Sequence, residues 1–137
     1  MLLTAADYPS VRAVLDITLD ADSLPDSIIE LPVYAGSAEA DVAAKDPLYA
    51  TRTGTDKLHI RNALILFCAA RIAPAMPSIT AETQGPYVQA RSPVDWMKRQ
   101  AELTGRAESE IAAVLTPTQS TVKYPTFFTT GYGTRGR

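Results

Sequence analysis

The stretch LHIRNALILFCAARIA, residues 58–73, decides the fold. In its second half Leu64, Ile65, Leu66, Phe67, Cys68 and Ile72 surround a helix almost completely. A helix that is apolar all round is either the centre of a core or shared with a neighbouring subunit. Thr55 or Asp56 stands ready to cap it, so the pattern predicts a helix over 57–73. Pro74 and Pro77 are expected to end it. The longest apolar run, 63–70, is far short of the roughly 20 residues that span a bilayer.

Upstream, Leu2-Leu3 reads as a short extended start. Thr4 or Asp7 can cap a helix over 8–15, with Pro9 tolerated in its first turn and Val11, Val14 and Leu15 as its apolar stripe. Asp22 or Ser23 is expected to open a second helix with Pro25 near its first position and Asp26 in its first turn. Leu24, Ile28, Leu31 and Ala35 fall at helical spacing there, and Pro32 should bend or interrupt the helix. The chain resumes as helix over 33–45 and stops before Asp46-Pro47.

Downstream, SITAETQGPYVQAR (78–91) alternates: Ile79 and Ala81 against Thr80 and Glu82, then a turn at Gln84-Gly85-Pro86, then Tyr87-Val88-Gln89. That period predicts a β-hairpin. Ser92-Pro93-Val94-Asp95 reads as the start of a last helix, with cap, first-position proline and acid in order. Trp96, Leu103, Ile111, Val114 and Leu115 are its apolar residues. Trp96 reads as core rather than as a ligand platform. Gly105 is its weak point, and Thr116-Pro117 its end. The predicted fold is therefore mainly α: a small bundle of about four helices with one β-hairpin and an extended C-terminal tail. Residues 1–115 form the body and 116–137 the tail.

The tail, TPTQSTVKYPTFFTTGYGTRGR, differs from the rest. It holds seven threonines, two prolines and three glycines, with no acid. It is too poor in aliphatics to fold alone and, with four aromatics, too aromatic for an inert linker. Its simplest use is β-addition, in which an extended strand joins an open sheet edge while its rings fill pockets. The residues expected to dock are Val122, Lys123, Tyr124, Pro125, Thr126, Phe127, Phe128 and Tyr132.

Charge is distributed unevenly. The formal net charge is −2, against a general nucleic-acid binder. Residues 1–56 hold ten acids and three bases, 57–115 five acids and seven bases, and the tail three bases. A dipolar chain of this kind can stack head to tail or meet partners of opposite sign at its two ends.

Little in the sequence suggests chemistry. The single histidine, His59, has only Asp56 as a nearby candidate partner. Cys68 sits mid-helix among apolar residues, where a thiol is inert, and a single cysteine allows no internal disulfide. No CxxC pair or histidine cluster offers a metal site. Asp16, Asp20 and Asp22 have a loose calcium-loop spacing without its glycine or terminal glutamate. Gly131-Tyr132-Gly133 lacks the context of a phosphate loop. The expectation is a non-enzymatic protein with no cofactor and no metal. The start, Met1-Leu2-Leu3-Thr4, has no basic region of a signal peptide, so a soluble protein made in a cytoplasm is expected.

The order LPDSIIELPVYAGSAEADV, a polar link, LHIRNALILFCAARIAPAMPSI, a glycine-containing hairpin and SPVDW resembles the head–tail adaptor (head–tail connector) proteins of tailed bacteriophages and phage-derived gene transfer agents. The resemblance covers roughly residues 1–115 and is one of element order and composition. It implies a structural virion protein: a homo-oligomeric ring of twelve copies beneath the portal protein that prolongs the DNA channel. Such a ring passes close to packaged DNA without reading it and offers a platform to stopper or tail proteins. Extended terminal segments in such adaptors pair with portal strands. The implied location is the virion's head–tail interface, after assembly from the host cytoplasm, with no membrane. The alternatives are a stopper or tail-completion protein of the neck, and a small helical regulator that binds one cellular protein.

Overall fold

The computed structural model describes residues 2–84 and 94–116. These are mainly helical and contain no strand. A 3-10 turn, Ala5–Asp7, leads into α1 (Tyr8–Leu15). A loop then precedes the short α2 (Asp26–Ile29), a π-type turn (Pro32–Gly36) and α3 (Ser37–Lys45). A 3-10 turn at Tyr49–Thr51 precedes α4 (Gly54–Ile72). Another, Ala73–Ala75, joins it to α5 (Met76–Gln84), and α6 spans Trp96–Leu115.

α4 is the centre. Ala63, Leu64, Leu66, Phe67, Cys68, Ala69, Ala70 and Ile72 are all buried within this one chain. The all-round apolar pattern thus marks a core helix. Three helices wrap it. α6 packs along it through Leu103, Ala107, Ile111 and Val114, a stripe at four- and three-residue spacing. α1 adds Val11 and Leu15, and α3 adds Ala38 and Val42. Each buried Leu, Ile or Phe contributes about 1.5–3 kcal/mol, so this apolar contact dominates the fold's stability.

Helix α1 has the span read from the sequence, and α3 stops before Asp46-Pro47 as expected. Pro32 does interrupt the second helix. Leu31 is extended before it, and the π-type turn then carries the chain into α3. Two details differ. Pro25, not Asp22 or Ser23, precedes the first helical residue, because Asp20 closes Asp22 and Ser23 into a separate turn. The core residues here are Leu24, Ile29 and Ala35; Leu31 is left 43% exposed.

The prolines after α4 do not stop the helical path. Pro74 lies in a 3-10 turn and Pro77 in the first turn of α5, where neither owes a backbone N–H to the helix. The first arm of the expected β-hairpin is consequently helical. Met76 and Ile79 turn three residues apart into the core, and the Thr83 hydroxyl donates back to the Ile79 carbonyl at 2.9 Å. Alternation over so short a segment was compatible with either structure. The second arm, 85–91, lies outside the described residues. The unbroken path Gly54–Thr83 is long and apolar enough to cross a bilayer, unlike the short run counted from sequence. Of its most apolar 18-residue window, 61% is buried inside the fold, as in a core helix.

Helix α6 starts later than expected. Asp95 itself caps it, accepting from the Lys98 N–H at 3.2 Å. Ser92 and Pro93 lie outside the described residues. Gly105 does not break the helix, which runs to Leu115 before the extended Thr116.

Two glycines make a paired test. Gly54 opens α4 with φ +62°, and a Cβ there would meet nothing within 4 Å. Gly54→Ala should therefore cost about 1–2 kcal/mol through backbone strain alone. Gly105 is helical with equally open space, so Gly105→Ala should stabilise by about 0.5–1 kcal/mol. Urea unfolding of the two variants reads both signs; a stabilised Gly54→Ala would contradict the positive φ.

Candidate functional site

Arginine–carboxylate clasps tie the outer segments to the core helices. Arg61 on α4 holds Asp7 through both oxygens, Nε and Nη2 each at 3.1 Å. The same carboxylate accepts from the Thr4 N–H at 2.9 Å, so one acid fixes the start of the chain and its contact with α4. Arg71, also on α4, grips Asp41 of α3 at 3.0 and 2.7 Å. Arg12 is buried in α1. It donates to the Leu24 carbonyl at 2.7 Å and pairs with Asp26, pinning the loop between α1 and α2. Arg99 of α6 donates to the Leu15 carbonyl, at the end of α1. Glu39 accepts from the Tyr49 hydroxyl at 2.6 Å and from the Leu2 N–H at 3.2 Å. That carboxylate raises the pKa of the Tyr49 phenol above its ordinary value.

Asp46 is the most enclosed of these acids, at 1% exposed. Arg52 meets both its oxygens at 3.0 Å, and the Leu48 N–H donates at 3.1 Å. The Arg52 hydrogen bonds hold the Asp46 carboxyl below its ordinary value, with burial opposing them.

The charge asymmetry of the sequence is thus partly consumed by folding. Asp7, Asp26, Asp41 and Asp46 of the acidic front all meet arginines, and two of those arginines come from the basic rear.

His59 meets a partner that the sequence did not suggest. Its Nδ1 lies 2.7 Å from Glu110 of α6, and Asn62 donates to the same oxygen at 3.4 Å. Asp56 is not that partner. A pairing across 51 residues has no local signal. It links α4 to α6 on a half-buried face and brings no nucleophile with it. Burial pushes the Cys68 thiol up to about 12, far from a reactive thiolate. Among the described residues no group of three His, Cys, Asp or Glu could hold a metal ion. The turn at Asp20 is closed by Ser23, whose N–H and hydroxyl hold the Asp20 carboxyl below its usual range. Trp96 is partly buried against the core.

Surface depressions flank α6, and two of them lie over α4. One, about 510 Å³, lies where α3, α4 and α6 meet. Its charges satisfy each other: Asp41 with Arg71, and Lys45 with Glu108 at 3.4 Å. The other lies between α1 and α6. It consists of hollows of about 510 and 260 Å³ that share Val14 and Arg106. Sequence reasoning missed this second groove; its only trace is the small residues Ala101 and Gly105 on α6. The expected docking residues Val122, Lys123, Tyr124, Pro125, Thr126, Phe127, Phe128 and Tyr132 lie outside the described residues.

No protein-family model matches the chain, and no curated protein or solved structure is significantly similar to it.

The Asp46–Arg52 pair carries a pH-dependent prediction. Arg52→Met strands a buried carboxylate and should cost about 2–3 kcal/mol near pH 7. This is less than the ~3–5 kcal/mol for a fully enclosed pair, since Arg52 keeps a quarter of its exposure. In the parent protein the depressed carboxyl favours folding above its unfolded value, a benefit lost as pH falls through the folded value. In the variant only the Leu48 N–H still opposes burial, so the carboxyl sits higher than in the parent and acid costs the variant less stability. The deficit should shrink between about pH 6 and pH 4. Equal deficits at both pH values would show that charge is not what holds this turn.

Proposed function

We propose that the chain is a structural adaptor of the phage neck. It forms a homo-oligomeric ring beneath the portal protein, extends the DNA channel and carries the stopper or tail proteins. The observation that carries this reading is a division within the chain. The helical body buries nearly all of the second half of its central helix, yet a segment with no acid and four aromatics follows α6. A body with its core closed does not require that segment for packing, and an aromatic strand of this composition suits β-addition to another protein. The element order that resembles head–tail adaptors supplies the partner. The mainly helical body favours an adaptor over a stopper or tail-completion protein, which are usually richer in strands.

On this reading the protein is not an enzyme and uses no cofactor. It is made in the host cytoplasm, has no membrane and ends in the virion at the head–tail interface. DNA passes the ring without base readout, which suits a chain of net charge −2.

The test is reconstitution. The purified chain mixed with a portal protein from the same genome should give a defined ring complex by electron microscopy. A chain ending at Leu115 should keep its helical circular dichroism and lose portal binding. Retained binding by the truncated chain would remove the docking role of the tail, and absence of the protein from purified virions would sink the adaptor reading.

A further inference from the structure

We infer that the groove between α1 and α6 is a docking site for the chain's own C-terminal segment, residues 117–137, with Tyr124, Phe127 and Phe128 as its anchors. The groove sits directly over α4. Half-buried Val14 and Ile65, above buried Leu66 and Leu103, give it an apolar floor, with Glu102 and Glu110 at its rim. Gly105 leaves the α6 surface low at its middle, with nothing within 4 Å of where a Cβ would stand. Its larger hollow alone falls in the size range of ligand sites.

Arg106 marks the groove electrostatically. Arg12, Arg52, Arg61, Arg71 and Arg99 each hold a carboxylate, whereas Arg106 has none among the described residues. It is exposed and lines both hollows. A guanidinium above an apolar floor suits the face of an aromatic ring, which satisfies it without a counter-charge. The C-terminal segment offers rings and no acid.

The path of the chain points to the same occupant. Glu102, Arg106, Ser109, Ala113 and Thr116 recur at three- and four-residue spacing, so they share one face of α6. The described chain therefore ends on the groove's own side. Thr116 lies about 15 Å along the helix from Arg106. An extended chain covers ~3.3 Å per residue, so Tyr124 can reach about 26 Å from Thr116 and Phe128 about 40 Å. Residues 117–121 suffice to reverse direction. Tethering also gives this segment a roughly millimolar effective concentration at the groove, so modest contacts are enough. Docked there, the rings are sheltered from water and from unintended partners until a tighter sheet edge displaces them. The inference rests on the groove and the tether; it does not require that the final partner be a portal.

NMR on the full-length purified chain tests it. Ring protons of Phe127 and Phe128 should show NOEs to the methyls of Val14 and Ile65 in a monomer. A full-length Phe127→Ala/Phe128→Ala variant should abolish them and shift the Arg106 and Ser109 amides. Gly105→Leu, whose Cβ meets nothing within 4 Å and whose side chain would occupy the groove, should likewise abolish the NOEs. The tail variant keeps the test valid if Gly105→Leu folds poorly. Random-coil shifts throughout 117–137 with no such NOEs would overturn the inference. So would NOEs seen only between differently labelled copies, which would make the occupant a second chain. Because no portal is present, a failed portal reconstitution leaves this result untouched.

Discussion

One constraint organises this molecule: the second half of α4 has no polar side to show to water. Between Ala63 and Ala73 only Arg71 is exposed, and Ile65 is partly so. Such a helix must be covered from every direction, and the chain does this with α1, α3 and α6, each giving one narrow apolar stripe. The alanines matter as much as the large residues. Ala35, Ala38, Ala63, Ala69, Ala70 and Ala107 are all buried, and their small size lets three helices crowd one axis.

The clasps set positions rather than supply the main stability. Most involve partly exposed pairs, worth about 0–1 kcal/mol each. Their placement is what counts. Arg71, the one exposed residue in that apolar stretch, is also the one that grips α3. Arg61 does the same for the chain's first turn. Asp46 and Arg12 are different, since both are buried and each leaves a costly charge if its partner is removed.

How much of this was legible follows from the range of each signal. The all-round apolar pattern of 63–73 is local and strong, and it located the core helix. The breaks at Pro32 and Asp46-Pro47 are local too, because proline constrains its own neighbourhood whatever the tertiary context. The segment after Pro77 was misread because Ile79, Ala81 and their polar neighbours fit two periods at once; contact with the core through Met76 selected the helix. The Asp95 cap was hidden by a stronger-looking Ser92-Pro93 signal. The clasps joining residues 54 and 30 positions apart, and the His59–Glu110 contact, leave no mark in a single sequence. Nor does a groove, which is a property of three helices together.

Those long-range pairs change the meaning of the charge pattern. The sequence showed an acidic front and a basic rear, which invites a picture of two complementary faces. Folding brings the halves together inside one chain and neutralises much of that difference across the α4 contacts. Among the described residues, charges left without an opposite partner include Asp16, Asp20 and Asp22 in the loop after α1, Glu30, Asp56 at the start of α4 and Arg106 on α6. In the ring proposed above, subunits would join through unlike surfaces, and electrostatic steering between copies would draw on these unpaired charges. Screening limits such steering to about 8 Å at physiological salt. Lasting contact in such a ring would therefore fall to apolar groups, and residues 116–137 carry four of the chain's ten aromatics.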